Sequence, residues 1–151
     1  MSHEARLAAL GLVLPPAPKP IATYATIVHH GDLIYTAGYG PLRPEGGFVV
    51  GKLGRELDVA AGREAARLTA LALLASLRAH LGSLDRVARV VKVLGIVNAT
   101  PEFTDHPQVI NGFSDLMVQV FGDVGLAARS AIGTSSLPAG IAVEVEAIFA
   151  V

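Results

Sequence analysis

The 151-residue chain contains no cysteine, which excludes disulfides, thiolate nucleophiles and cysteine-based zinc or iron–sulfur centres together. Tryptophan is also missing, and aromatic residues make up only 5% of the chain, so there are few side chains on which nucleic-acid bases could stack. Charge is sparse: ionic residues total 17%, with 12 basic against 13 acidic and a net charge of −1. Nucleic acid is therefore disfavoured as the main ligand, since phosphate contacts need clustered cations and the basic residues here are scattered. Long apolar runs are lacking too. The longest stretch free of Asp, Glu, Lys and Arg, Ser130 to Val143, is 14 residues and is interrupted by Gly133, Pro138 and Gly140, which excludes a membrane-spanning helix there. Met1 to Leu14 lacks the basic head, apolar core and small-residue cleavage site of a secretion signal, so a cytoplasmic protein is the expectation.

What the chain does have is apolar surface: 52% of residues are hydrophobic and the mean hydropathy is +0.51. A chain of this length forms one sizeable domain and buries about 68–70% of its unfolded surface. The excess needs cover, and an apolar contact between subunits supplies it, so the composition predicts an oligomer.

Along the chain, a short helix over Glu4 to Leu10, closed by Gly11, precedes a proline-rich stretch, Leu14 to Pro20. This divides the chain into an extension, residues 1–19, and a main domain, residues 20–151. Two β-like runs, Ala25 to His29 and Leu33 to Tyr39, flank His30-Gly31-Asp32 and predict a hairpin; a third strand is expected over Phe48 to Leu53. Val59 to Leu81 then carries Ala66, Ala70, Leu73, Leu74, Leu77 and Leu81 at helical spacing. Arg86 to Asn98 reads as a strand, a second helix starts near Asp105 with Pro107 in its first turn and ends before Gly122, and Arg129 to Ser135 and Ile141 to Val151 read as two closing strands. The order predicts an α+β fold, a mixed sheet of six strands with both long helices on one face. In the last strand the face bearing Ala142, Glu144, Glu146, Ile148 and Ala150 is only partly polar. A sheet with helices on one side and such a second side predicts packing against a copy of itself.

Few residues suggest chemistry. Arg129 opens the uncharged stretch, and its guanidinium suits bidentate capture of a carboxylate; an ordinary solvated strand-end arginine is the alternative. Glu144 and Glu146 lie on one strand face with Cα atoms about 6.5–7 Å apart, where like charge can raise one pKa, unless they form an exposed acidic ladder or pair with a neighbouring strand. His29 and His30 point to opposite faces, a poor arrangement for one metal, and His80 and His106 are expected at the surface near helix ends. Gly51-Lys52-Leu53-Gly54 does not match a phosphate loop, and no serine sits in a nucleophile elbow. Taken singly, the residues point to an oligomer without a cofactor and with an anion-binding candidate at Arg129.

The end of the chain, Ala128-Arg129-Ser130-Ala131-Ile132 through Leu137-Pro138 to Val143-Glu144-Val145-Glu146-Ala147-Ile148, resembles the signature of the YjgF/YER057c/UK114 family, also called the Rid family. The resemblance extends from about Pro20 to Val151 and includes Tyr24, Thr36-Ala37-Gly38 and Asn111. It implies a chorismate-mutase-like α+β fold and a homotrimer with a central barrel. It also implies hydrolysis of 2-imino or 2-enamine acids, such as 2-iminobutanoate and 2-iminopropanoate, to 2-oxo acids and ammonia at an inter-subunit cleft. In that reading Arg129 holds the substrate carboxylate and Glu144 activates water. Tyr24 and Asn111 line the cleft, Gly38 and Ala131 contact the ligand through their backbones, and no metal or cofactor takes part. Ala37 and Ala131 stand where family members often have serine and cysteine. The alternative is a non-catalytic protein that binds or senses a small carboxylate. An endoribonuclease activity, associated with some members, fits poorly with the near-neutral charge and few aromatics.

Overall fold

The apolar spacing between Val59 and Leu81 produces one continuous helix with those bounds, started by the Asp58 carboxylate accepting from Ala61 N–H at 2.8 Å and ended by Gly82 at φ +83°. The structure, a computed structural model, describes residues 1–151. In order it contains α1 (His3–Ala9), β1 (Ile27–His30), β2 (Leu33–Thr36), α2 (Val59–Leu81), β3 (Arg89–Asn98), α3 (His106–Phe121), β4 (Ala128–Thr134) and β5 (Val143–Ala150).

The sheet has five strands in the order β1-β2-β5-β3-β4, antiparallel throughout except for the parallel β3–β4 pair that α3 connects. The expected hairpin forms: His30 pairs with Leu33 across Gly31, whose φ is +60°. Both long helices cover one face, where Ile34, Val93, Val97, Val145 and Phe149 are fully buried with Leu73, Leu74, Ile110 and Phe113. The helices approach closely because Gly112 of α3 sits against the backbone of Arg63 in α2; a Cβ there would lie 2.0 Å from the Arg63 carbonyl oxygen.

The expected third strand does not form. Phe48 to Leu53 makes only single-pair bridges, Leu42 with Phe48, Val50 with Ile141, and Leu53 with both Leu57 and Ala99. Left-handed backbone at Gly46, Gly47, Gly51 and Gly54 turns the chain every few residues, so no ladder can propagate. Leu53 is instead a fully buried plug, its N–H donating to the Asn98 carbonyl and its carbonyl accepting from Thr100 N–H.

A third helix, α1, packs on α3. The Ser2 hydroxyl caps it, Leu7 is buried, and the His3 and Phe121 rings meet edge-on at 4.9 Å. The Glu4 carboxylate accepts from Leu84 N–H at 2.9 Å and reaches Arg78 at 3.4 Å. No helix is long and apolar enough to cross a membrane.

Candidate functional site

Strand β2 stops at Thr36, earlier than the expected Tyr39, because a side chain takes over the ladder: the Thr36 hydroxyl accepts from Ala147 N–H at 3.0 Å and donates to the Ala37 carbonyl at 2.9 Å. Pairing with β5 resumes at Tyr39–Val145, shifted by one residue from the Tyr35–Ile148 register. This bulge presses Gly38 against Glu144, and a Cβ at position 38 would stand 2.8 Å from the Glu144 Cδ. Glu144 is half-buried, and burial, then the Glu146 carboxylate, push its carboxyl above the usual range. Neither glutamate makes a salt bridge within the chain. Tyr24 belongs to the same neighbourhood: two residues later the Thr26 carbonyl accepts from Ala37 N–H, and the Tyr24 hydroxyl accepts from Ile21 N–H at 3.5 Å.

Arg129 lies on β4 opposite Val93 and points under α3. Its Nη1 donates to Asn111 Oδ1 at 2.8 Å and to Ser114 Oγ at 3.1 Å, and its Nη2 donates to the Pro107 carbonyl at 3.4 Å. These partners are neutral, and no carboxylate approaches within 4.0 Å. The Nε–H and one Nη2–H, one edge of the guanidinium, have no partner in the chain. Ala131 follows two residues later on the same side of β4, packed against the core.

The six expected site residues thus fall into two groups. Arg129, Asn111 and Ala131 assemble between α3 and the edge strand β4, on the helix side of the sheet. Glu144, Gly38 and Tyr24 gather near the β2–β5 bulge, with the Glu144 side chain on the opposite face, since Val143 and Val145 beside it are buried under the helices. One chain does not join the groups.

Sequence reading missed Ser114, one helical turn from Asn111, and the bulge at Thr36. The first could have been found from the i, i+3 spacing once Arg129 was placed; the second depends on a side-chain-to-backbone bond that leaves no sequence pattern.

Comparison with known proteins bears on this geometry. Residues 4–148 match the model of the YjgF/chorismate-mutase-like endoribonuclease family. The chain belongs to this family. Protein TCP17 of Trypanosoma cruzi is 45% identical over 145 residues, covering 95% of this chain and 91% of that one. The crystal structure of Atu1372 from Agrobacterium tumefaciens, of unknown function, superposes with a TM-score of 0.89 at 39% identity, covering 99% of this chain and 92% of that one. RidA from the Antarctic bacterium Psychrobacter sp. PAMC 21119 gives a TM-score of 0.63 at 25% identity, covering 89% and 94% of the two chains. The YjgF-family core is therefore shared with RidA, while the whole chain follows Atu1372 more closely.

Proposed function

We propose that this chain hydrolyses short 2-imino acids, with their 2-enamine tautomers, to 2-oxo acids and ammonia, in a cleft completed by a second copy within a homotrimer. The observation that carries the reading is the free edge of Arg129. A guanidinium fixed by Asn111 and Ser114 but left without a carboxylate is prepared for a planar one from outside. The division of the site residues between two faces supports a cleft between copies, because only a neighbour can present Glu144 to Arg129. The apolar patch opposite the helices, with Val28, Tyr35 and Ile132 exposed, supports the same assembly.

In this reading Arg129 holds the carboxylate and aligns the imine carbon. Water adds to that carbon as Glu144 takes its proton and the C=N electron pair moves to nitrogen. Glu144 then returns the proton to nitrogen, which gives a carbinolamine, and next relays the proton of the new hydroxyl to the amino nitrogen as the C–N bond breaks, so that ammonia leaves and the C=O of the 2-oxo acid forms. The substrate is already electrophilic, so these groups suffice. The raised pKa of Glu144 moves it toward neutral pH, where a carboxyl group exchanges protons more effectively.

The test generates 2-iminopropanoate in solution with an amino-acid oxidase and follows its decay. The protein should accelerate decay, and Arg129→Ala should lower that acceleration by about 100-fold or more, as loss of a charged, bidentate contact predicts. No acceleration, or an equal one in Arg129→Ala, rejects the reading. Stabilisation by 2-oxo acids without turnover would replace it with carboxylate binding alone.

A further inference from the structure

A cavity of about 490 Å³ opens where β3 and β4 end, away from the Arg129 edge, and its walls include Lys52, Arg55, Thr100, Phe103, His106 and Ser135. We propose that it is a second anion site, built for the phosphate group of a small phosphorylated metabolite.

No carboxylate lines this cavity. Its two strong cations differ in state. Arg55 is already neutralised, with Nε and Nη2 donating to Glu56 Oε1 at 3.0 and 2.8 Å. The Lys52 ammonium has no carboxylate within 4.0 Å, although the Glu56 carboxylate accepts from the Lys52 backbone N–H at 2.9 Å. The ammonium donates to Asn98 Oδ1 at 2.7 Å and to the Ser135 carbonyl, both neutral, which leaves one of three N–H groups free and the charge uncompensated.

That ammonium is also pre-placed. Asn98 is buried and anchored through Nδ2 to the Ile141 carbonyl at 3.2 Å, and the next residue after Lys52 is the buried plug Leu53. A charge held this rigidly incurs little ordering cost when an anion arrives. Across the cavity the His106 ring lies on Gly133, where a Cβ would come within 2.4 Å of Nε2. The hydroxyls of Thr100 and Ser135 make no hydrogen bond within the chain, as does neither ring nitrogen of His106. His106 is also the first residue of α3, so the start of that helix, with Asp105 as its N-cap residue, borders the same wall.

The donor set selects the anion. A planar carboxylate is matched by a guanidinium fork, and the free fork of this chain is at Arg129. Here a point-charge ammonium and rotatable hydroxyls converge without a common plane, which suits a tetrahedral oxyanion carrying close to two charges at neutral pH. The cavity exceeds what phosphate alone requires, and Phe103 gives the remaining body an apolar wall. This is not the glycine-rich phosphate loop that the sequence lacks, since Lys52 precedes no helix that cradles phosphate.

The experiment titrates the full chain with inorganic phosphate and with glycerol 3-phosphate, using acetate as the carboxylate probe, and maps amide shifts by NMR. Phosphate should shift Gly133, Ser135 and His106 with a Kd of about 1 mM or tighter, and glycerol 3-phosphate should bind more tightly still. Lys52→Met should weaken binding by about tenfold or more, whereas Lys19→Met, a charge change in the proline-rich segment, should leave it unaltered. Thr100→Val, which preserves shape, should weaken it by about threefold and serves if Lys52→Met does not fold. No shift at these residues, equal binding by Lys52→Met, or acetate binding there as well as phosphate overturns the proposal. Imine decay is a separate measurement, so failure of either reading leaves the other standing.

Discussion

At the scale of single residues, Glu144 is the group whose environment is most clearly organised for proton exchange. Burial raises its pKa above the ordinary 4.5, and Glu146 adds to this. In the proposed reaction the ionised form is the base, so kcat/KM should rise with pH through the raised value; Glu146→Gln should move that rise to lower pH without abolishing the shift, because burial is the larger cause. Stability should respond in the opposite sense. The folded carboxyl holds its proton more tightly than the unfolded one, so this contribution is present below 4.5 and is lost as pH rises through the folded value. Denaturant midpoints of Glu144→Gln should therefore fall less steeply over that interval than those of the native chain. Gly38→Ala tests the bulge: the added Cβ meets a movable side chain, so the fold should survive while Glu144 is displaced and imine hydrolysis falls by about tenfold or more. Arg129 and Glu144 were both legible as candidates in the sequence. Their placement on opposite faces was not, because it depends on how two distant strands are oriented relative to the helices.

At the scale of elements, the packing of α2 against α3 rests on a contact that cannot be relieved by a side-chain rotation. A Cβ at position 112 meets a backbone carbonyl, so Gly112→Ala should push the helices apart and cost roughly 1–3 kcal/mol, read from urea unfolding. Helix α2 was legible to the residue because its caps and its periodicity agree, and α3 nearly so. The segment Phe48 to Leu53 shows the opposite case. Its apolar, β-branched composition matches a strand, but the glycines around it adopt left-handed backbone and Leu53 is buried beside Asn98 in place of a ladder. The same detour carries Lys52 to the end of β3, so the feature that defeats the strand is the one that makes the second cavity.

At the scale of the whole molecule, the sheet is covered on one face only. Ile132 is 49% exposed on the open face, and Leu94, Ile96 and Ile148 flank the acidic pair there. If copies meet on this surface, Ile132→Asp should shift the sedimenting species from trimer to monomer and abolish imine hydrolysis together, because the two groups of site residues would be separated; a native chain that sediments as a monomer would refute the assembly. The N-terminal helix contributes to the same unit through Leu7, and Leu7→Ala should cost about 2–4 kcal/mol in chemical denaturation.

The sequence by itself determined the α+β class, both long helices, the hairpin and the family signature, because these follow from spacing along the chain: apolar period, caps, turn residues and a contiguous motif. Only the tertiary structure decided that the sheet has five strands, that Ser114 joins Asn111 in holding Arg129, that Glu144 faces away from it, and that the Lys52 ammonium meets only neutral partners. Each of these depends on which distant segments are brought into contact, and contact across dozens of residues is fixed by packing of the whole core, not by any local pattern.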